Sequence, residues 1–437
     1  MADDLEETLA RVQLQRSLGS QDPHSHGHEL ADALYQYSRA LMSAGRAEEA
    51  LAGISEAIAI RREALAESVA GFAEVLSSLG RLTEALQAIE ESVAIRRQLA
   101  VGNPDSILPH LATSLNNQSI YLADLGRRED ALPAIEEAVA IRRRLAESHR
   151  DAFLPDLAAS LNNLSNSLAG LGRREDALAA IEEAVAILRQ LAAANTDSYL
   201  PNLATSLNNL SNRLSELGRT QDALAAIEEA IIARRQLAMT NPDSALPDLA
   251  TSLNNQSVYL ADLGRRVDAL AAIEEAVAIL RQLAAANTDA YLPNLATSLN
   301  NLANQLSELG RTQDALAAIE EAVAILRQLA AANPDAYLPN LATSLNNQSA
   351  YLADLGRKDK AQATIEEAMR TDLRFLENVF GIILPEQPPS LERPEDVWAI
   401  AKGFSAAEMN RFRNIAGIRG LELLLTFRQL AGASKKE

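Results

Sequence analysis

Seven glycines, Gly80, Gly126, Gly172, Gly218, Gly264, Gly310 and Gly356, stand 46 residues apart, and Gly45 precedes the first of them by 35. A fixed period of this size means stacked copies of one supersecondary unit. Such a unit cannot bury its apolar faces alone and needs a neighbour on each side. The repeat overrides the prior of about three independent domains that the chain length alone would carry.

One unit shows what is repeated. The spacing predicts a first helix over 198–217. Leu200, Leu203, Leu207, Leu210, Leu214 and Leu217 recur at alternating intervals of three and four, which is one apolar stripe. Asp197 is the expected N-cap, and Pro201 is expected in the first turn, where a missing N–H costs least. Gly218 ends the helix. A second helix is predicted over 220–239, with Ala223, Leu224, Ile227, Ala230, Ile231 and Leu237 on its apolar side. Asp222, Glu228 and Glu229 precede Arg234 and Arg235, an order that complements the helix dipole. The composition agrees: 48% hydrophobic but only 4% aromatic, with Ala and Leu, both strong helix formers, dominant.

Charge and cysteine usage exclude several classes of function. The formal charge of −19 lacks the basic footprint that a nucleic-acid partner requires. It also disfavours an anionic membrane surface, favours a basic or neutral partner, and keeps an Ala/Leu-rich chain soluble. With no cysteine there are no disulfides, thiol nucleophiles or Cys-ligated zinc. No apolar run approaches the roughly 18 residues that span a bilayer. Residues 1–7 are acidic and unlike a signal peptide, so a cytoplasmic location is expected.

The ends differ from the middle. Residues 1–28 are expected to form a helix, with Leu5, Leu9, Val12 and Arg16 at helical spacing up to Gly19, followed by a polar, turn-rich linker over 21–28. The array is expected over 29–371. Residues 372–437 hold Trp398, five of the seven phenylalanines, a proline-rich stretch and a capping box opening at Ser405. Over 402–437 seven basic residues outnumber three acidic ones. This segment is read first as a helical cap over the last apolar face, which any solenoid needs. The alternative is an interaction element that folds back on the acidic array, docks a second copy as a homo-oligomer, or engages another protein.

The pattern Leu-Asn-Asn-Leu-x-x-x-Leu-x-x-Leu-Gly-Arg, seen at 207–219, followed by Asp-Ala-Leu-x-x-Ile-Glu-Glu-Ala at 222–230, resembles the tetratricopeptide repeat. It looks most like the long form found in kinesin light chains, and the resemblance covers roughly residues 29–370. Gly218, Ala223, Ile227 and Ala230 fall where that family places its signature. Two features depart from it. The units are 46 residues long where the family's usual repeat has about 34. Arg235 stands where the second helix usually closes on a proline, which implies a longer helix. The expected fold is therefore all-α, a right-handed α-solenoid of about eight helical hairpins with a helical cap at each end.

The resemblance implies a concave groove lined by the first helix of every unit and a peptide or partner-protein segment held in it. The candidate peptide-binding residues are Asn117, Asn163, Asn209, Asn255, Asn301 and Asn347, the second asparagine of each pair, with Asn166, Asn212, Asn304 and Thr205. Thr205, Asn209, Asn212 and Glu216 share one helical stripe, and an asparagine offers an extended main chain both a donor and an acceptor. The competing reading, equally weighted, is that these asparagines bond the neighbouring repeat. Where some units place Asn166, Asn212 or Asn304, others place Ile120, Val258 or Ala350. That irregularity is either a specificity code or drift among duplicated copies.

Other constellations carry less. His24, His26 and His28 form a compact group with metal-binding composition, but a solvated loop is the preferred reading and no metal or cofactor is expected. The Glu-Glu pairs such as Glu182-Glu183 diverge on a helix and read as solvated faces. The Asn-x-Ser triplets are read as incidental. No catalytic constellation or phosphate loop is found, so the expectation is a non-enzymatic protein-interaction scaffold. The alternative is a regulatory or sensor module acting through self-association or its tail with a separate effector.

Overall fold

The computed structural model describes residues 2–19 and 23–380. Among them sixteen helices follow one another and no strand occurs. In order they are α1 (Ala2–Gly19), α2 (Pro23–Ser43), α3 (Ala47–Ser78), α4 (Leu82–Ala100), α5 (Pro104–Asp124), α6 (Arg128–Ser148), α7 (Arg150–Gly170), α8 (Arg174–Ala194), α9 (Thr196–Glu216), α10 (Thr220–Thr240), α11 (Pro242–Asp262), α12 (Arg266–Ala286), α13 (Thr288–Glu308), α14 (Thr312–Ala332), α15 (Pro334–Asp354) and α16 (Lys358–Phe380). The chain divides into two compact units, Met1–Leu237 and Ala238–Glu437. Within each, a helix packs on the one before it and the one after it, the adjacency of a solenoid. From α5 onward the odd-numbered helices end at a repeat glycine and are called A helices; the even-numbered B helices begin just after it.

The turn explains the glycine. Gly172 has φ +76°, a left-handed conformation that strains a side-chain-bearing residue by roughly 1 kcal/mol. In that conformation Gly172 N–H donates to Ala169 O and Arg173 N–H donates to Leu168 O, both at 2.9 Å, which satisfies the last carbonyls of α7. Arg173 then pairs with Asp176 of the next helix at 2.8 Å. The other seven repeat glycines also have positive φ.

The core is as periodic as the turns. Nine residues past the turn glycine stands a fully buried isoleucine: Ile89, Ile135, Ile181, Ile227, Ile273 and Ile319 are each 0% exposed. Alanines on either side, Ala177 and Ala184 around Ile181, are buried as well and let neighbouring helices approach. On the A helices Ala158 and Leu161 play the same part in α7.

The two edges of the array are held differently. On the A side, α5 touches α7, α7 touches α9, and α11 touches α13. On the B side, long side chains bridge alternate helices. Arg189 reaches Glu229 at 2.6 Å, Arg327 reaches Glu367 at 2.7 Å, and Arg97–Glu137 and Arg143–Glu183 repeat the pair. Arg16 of α1 meets Glu56 of α3 at 2.7 Å with the same sequence offset of 40, so α1 takes the place of a B helix ahead of α2.

The observed helices depart from the expected ones in four places. First, α9 starts at Thr196, and Asn195, not Asp197, is its N-cap, accepting from Ser198 N–H at 3.2 Å. Pro201 consequently lies inside the helix instead of in its first turn, and the exposed Asp197 carbonyl loses its helical donor to solvent. Second, α2 already begins at Pro23, so residues 23–28, expected as linker, are helical. Third, the hairpins at Gly45 and Gly80 share one continuous helix, α3, of 32 residues. The 35-residue spacing there leaves out the Asn-x-Asp and proline segment that breaks the chain in other units, and Arg62-Glu63-Ala64-Leu65-Ala66-Glu67 contains only good helix formers. Fourth, α16 runs unbroken past residue 372, and Phe375 packs on the cluster of Leu338, Leu341 and Ala368. The rest of the expected cap, 381–437, lies outside the described residues.

Candidate functional site

Within each compact unit the A helices place the predicted residues on one face, and the geometry joins most of them to the adjacent repeat. Asn163 Nδ2 donates to Asn116 Oδ1 at 3.1 Å, Asn209 Nδ2 to Asn162 Oδ1 at 2.9 Å, and Asn301 and Asn347 do the same to Asn254 and Asn300, each at 3.0 Å. A serine joins each bond: Ser160, Ser206, Ser298 and Ser344 donate to the same four oxygens. The first asparagine of one unit thus receives the second asparagine and a serine of the next. Asn117, with no such unit before it, donates to Glu74 Oε1 at 3.3 Å. Asn255 is half-buried on α11.

These bonds leave binding capacity. Each uses one Nδ2 hydrogen, and an amide carries a second donor hydrogen and an acceptor oxygen. Asn163, Asn209, Asn301 and Asn347 all remain partly exposed. Thr205 and Asn166 are exposed, Asn212 is half-buried, and Ile120, Val258 and Ala350 are exposed at the positions equivalent to Asn166 and Asn212. Near the turn end the same face carries exposed Asp124, Glu216, Asp262, Glu308 and Asp354. Glu216 pairs with Arg213 and Glu308 with Arg266, both at 3.3 Å.

Asn304 has a different partner: Tyr351 Oη donates to its Oδ1 at 2.6 Å. Burial, followed by the nearby Glu308 and Asp354 carboxylates, pushes the Tyr351 phenol up to about 12. An unfolded tyrosine ionises near pH ~10. The stability contributed by the neutral phenol is therefore full below that value and lost as pH rises towards 12. Thermal melts of the protein are expected to fall between pH ~9 and ~11.5, and to fall less in Tyr351→Phe. An identical decline in both proteins would show that Tyr351 does not carry the effect.

Sequence reasoning missed the acceptors of the ladder, Asn116, Asn162, Asn254 and Asn300, and the serines beside them. Their recurrence at the repeat period was the available signal. It also missed a buried cation. Arg142 of α6 is buried between α5 and α7, where its guanidinium donates to Asp156 O at 2.9 Å, to Thr113 Oγ1 at 3.3 Å and to Ser160 Oγ. Burial holds it below the ordinary arginine range, with Asp156 partly opposing. Arg96 repeats the arrangement in α4, donating to Ser114 at 2.7 Å and to Glu63 at 3.0 Å. Of the histidine group, His28 is exposed on α2, and the side chains of His24 and His26 lie outside the described residues. Among the described residues no set of side chains is grouped to hold a metal ion, and no helix is long and apolar enough to cross a membrane.

A family model described as Tetratricopeptide repeat matches residues 66–105, 111–151, 157–195, 203–238 and 295–334. A second, described as Anaphase-promoting complex subunit 5, matches 24–76, 237–292 and 332–372. No curated protein matches the chain. Among solved structures, the signal transduction ATPase with numerous domains (STAND) PH0952 from Pyrococcus horikoshii, which has a tetratricopeptide repeat sensor, is 11% identical, with 87% of this chain and 54% of that chain covered and a TM-score of 0.54. BtubC (BKLC) from P. vanneervenii is 20% identical, with 60% and 96% covered and a TM-score of 0.47. A putative kinesin light chain from Podosopora anserina with nearly identical TPR-like repeats is 22% identical, with 52% and 98% covered and a TM-score of 0.40. These likenesses concern the fold alone. With five segments matched by sequence and the same helix–glycine–helix unit returning through the described chain, the protein is a tetratricopeptide repeat protein.

Proposed function

We propose that the protein is a non-enzymatic interaction scaffold whose A-helix face takes an extended peptide segment of a partner protein. The observation that supports this is the repeated row of part-exposed amides, Asn163 and Asn209 in the first unit and Asn301 and Asn347 in the second. Each amide is held in one orientation by its bond to the preceding repeat. An amide fixed in this way loses little entropy on binding and presents its remaining donor and acceptor at the repeat interval. The acidic residues beside the turns, with the formal charge of −19, favour a neutral or basic segment.

The test spares the ladder and alters exposed stations beside it: Ile120→Arg, Asn166→Arg and Thr205→Arg together, in the full chain. Affinity capture from the native host, read by mass spectrometry, is expected to lose the partner that the parent protein captures. Equal capture with unchanged far-UV circular dichroism would overturn the reading. A second reading is a sensor module working with a separate effector, in the way that the PH0952 ATPase carries a repeat sensor. Under it, removing 381–437 changes oligomer size or partner access, and light scattering and capture that match the full chain would count against it.

A further inference from the structure

The shared helix α3 leaves an inter-repeat seam open. In an intact repeat the residue thirteen past the turn glycine is covered by the following A helix: Val93 packs with Leu111 and Leu115 of α5, and Val323 packs with Leu338 and Leu341 of α15. The equivalent residue in α3 is Ile58, and it is 51% exposed where Val323 is 1%. Its following A helix is the continuation of α3 itself, which cannot fold back to cover it. The converse holds at the other end. Leu164 of α7, eight residues before its glycine, packs on Ile135 and Ala138 of the preceding B helix. The equivalent Phe72 is 57% exposed, because its preceding B helix is again α3.

The exposed residues form one stripe. Leu51, Ile58, Leu65, Phe72 and Leu79 stand seven apart, with Val75 beside them, and all six are exposed. Seven-residue spacing keeps a stripe on one side of a helix and fits a second helix packed along it. Residues flanking the stripe are buried: Ala50 and Ala57 on one side in the first half of α3, and Ala66, Ala73 and Leu76 on the other side in the second.

We propose that the occupant of this stripe is the α3 of a second copy, antiparallel, related by a two-fold axis at Leu65. The five residues spaced by seven are symmetric about that residue, so Leu51 of one protomer lies opposite Leu79 of its partner, Ile58 opposite Phe72, and Leu65 opposite Leu65, while Val75 falls opposite Ser55. This is the self-complementarity that an isologous interface requires. It also supplies each half with the type of helix it lacks. The half of α3 that acts as a B helix receives an A-type half from the other copy, and the reverse, so the dimer completes in trans a seam that other repeats complete in cis. The interface lies within residues 47–79.

The chain has no cysteine, so each introduced thiol is unique. In light scattering at tens of micromolar the full chain is expected to be a dimer. Ile58→Glu with Phe72→Glu is expected to be a monomer of unchanged helicity. With a short bismaleimide, Leu65→Cys is expected to crosslink to itself. Leu51→Cys alone is not, because antiparallel pairing holds its two copies about 42 Å apart along the axis. A mixture of Leu51→Cys and Leu79→Cys is expected to crosslink. A full chain that is monomeric at this concentration overturns the proposal, including the case in which a different protein covers the stripe. Self-crosslinking of Leu51→Cys as efficient as that of Leu65→Cys overturns the antiparallel geometry.

Discussion

Ile181→Ala is expected to destabilise the protein by about 3 kcal/mol. The side chain is 0% exposed, and its buried neighbours one turn away along α8 include Ala177 and Ala184. Those alanines hold adjacent helices close and have no atoms with which to fill a hole, so little of the cavity collapses and the cavity penalty adds to the lost transfer energy. In a linear array the loss spreads by contact. Hydrogen exchange is expected to quicken in α7 and α9 together with α8, while α2 keeps its protection. Urea titration followed by circular dichroism reads the total. A loss under about 1 kcal/mol would mean that the helices close over the vacancy and that the close packing assigned to the alanines is wrong.

Arg142 is expected to respond very differently to two replacements. Arg142→Ala deletes a long buried side chain and its three hydrogen bonds, and is expected to cost about 3 kcal/mol. Arg142→Leu is expected to leave stability within about 1 kcal/mol of the parent or to raise it, because a buried cation carries a desolvation penalty that an apolar side chain avoids. The chain contains its own controls: Leu188, Leu280 and Leu326 occupy the equivalent position and are buried. The groups left behind keep partners, since Ser160 still donates to Asn116 at 3.1 Å and the Asp156 carbonyl lies within α7. If leucine proved as harmful as alanine, the hydrogen bonds of Arg142 would outweigh its desolvation, contrary to the argument.

The fold was legible in the sequence because its signals are local. A glycine that must adopt positive φ, a stripe of leucines at helical spacing and an alanine–isoleucine–alanine core recur at one period, and each points to the same helical unit. The α3 helix was not legible, because Gly45 and Gly80 look like any other pair of turns and only the missing breaker between them distinguishes the segment. The candidate site was half legible. That Asn209 shares a face with Thr205 follows from helix geometry. That Asn209 is bonded to Asn162, 47 residues earlier, depends on how one A helix slides past the next, and no spacing within a helix encodes that offset. The same applies to Tyr351 over Asn304. Of the two readings weighed for Asn209, inter-repeat bonding is present and takes one of its amide hydrogens.

The adjacency of the helices also bears on how the chain is made. Within each unit a helix packs on its immediate predecessor, and the longer-range contacts join alternate A helices and, through arginine–glutamate pairs, alternate B helices. On a ribosome, a newly emerged helix therefore finds its partner already synthesised, and no helix among the described residues has to wait for one still to be translated. The ordering is strict at the amino end, where α2 closes on α1 before the long helix α3 is complete. Among the described residues none that follows covers its apolar stripe, so under the proposed pairing the nascent protein carries that surface until a second finished copy arrives.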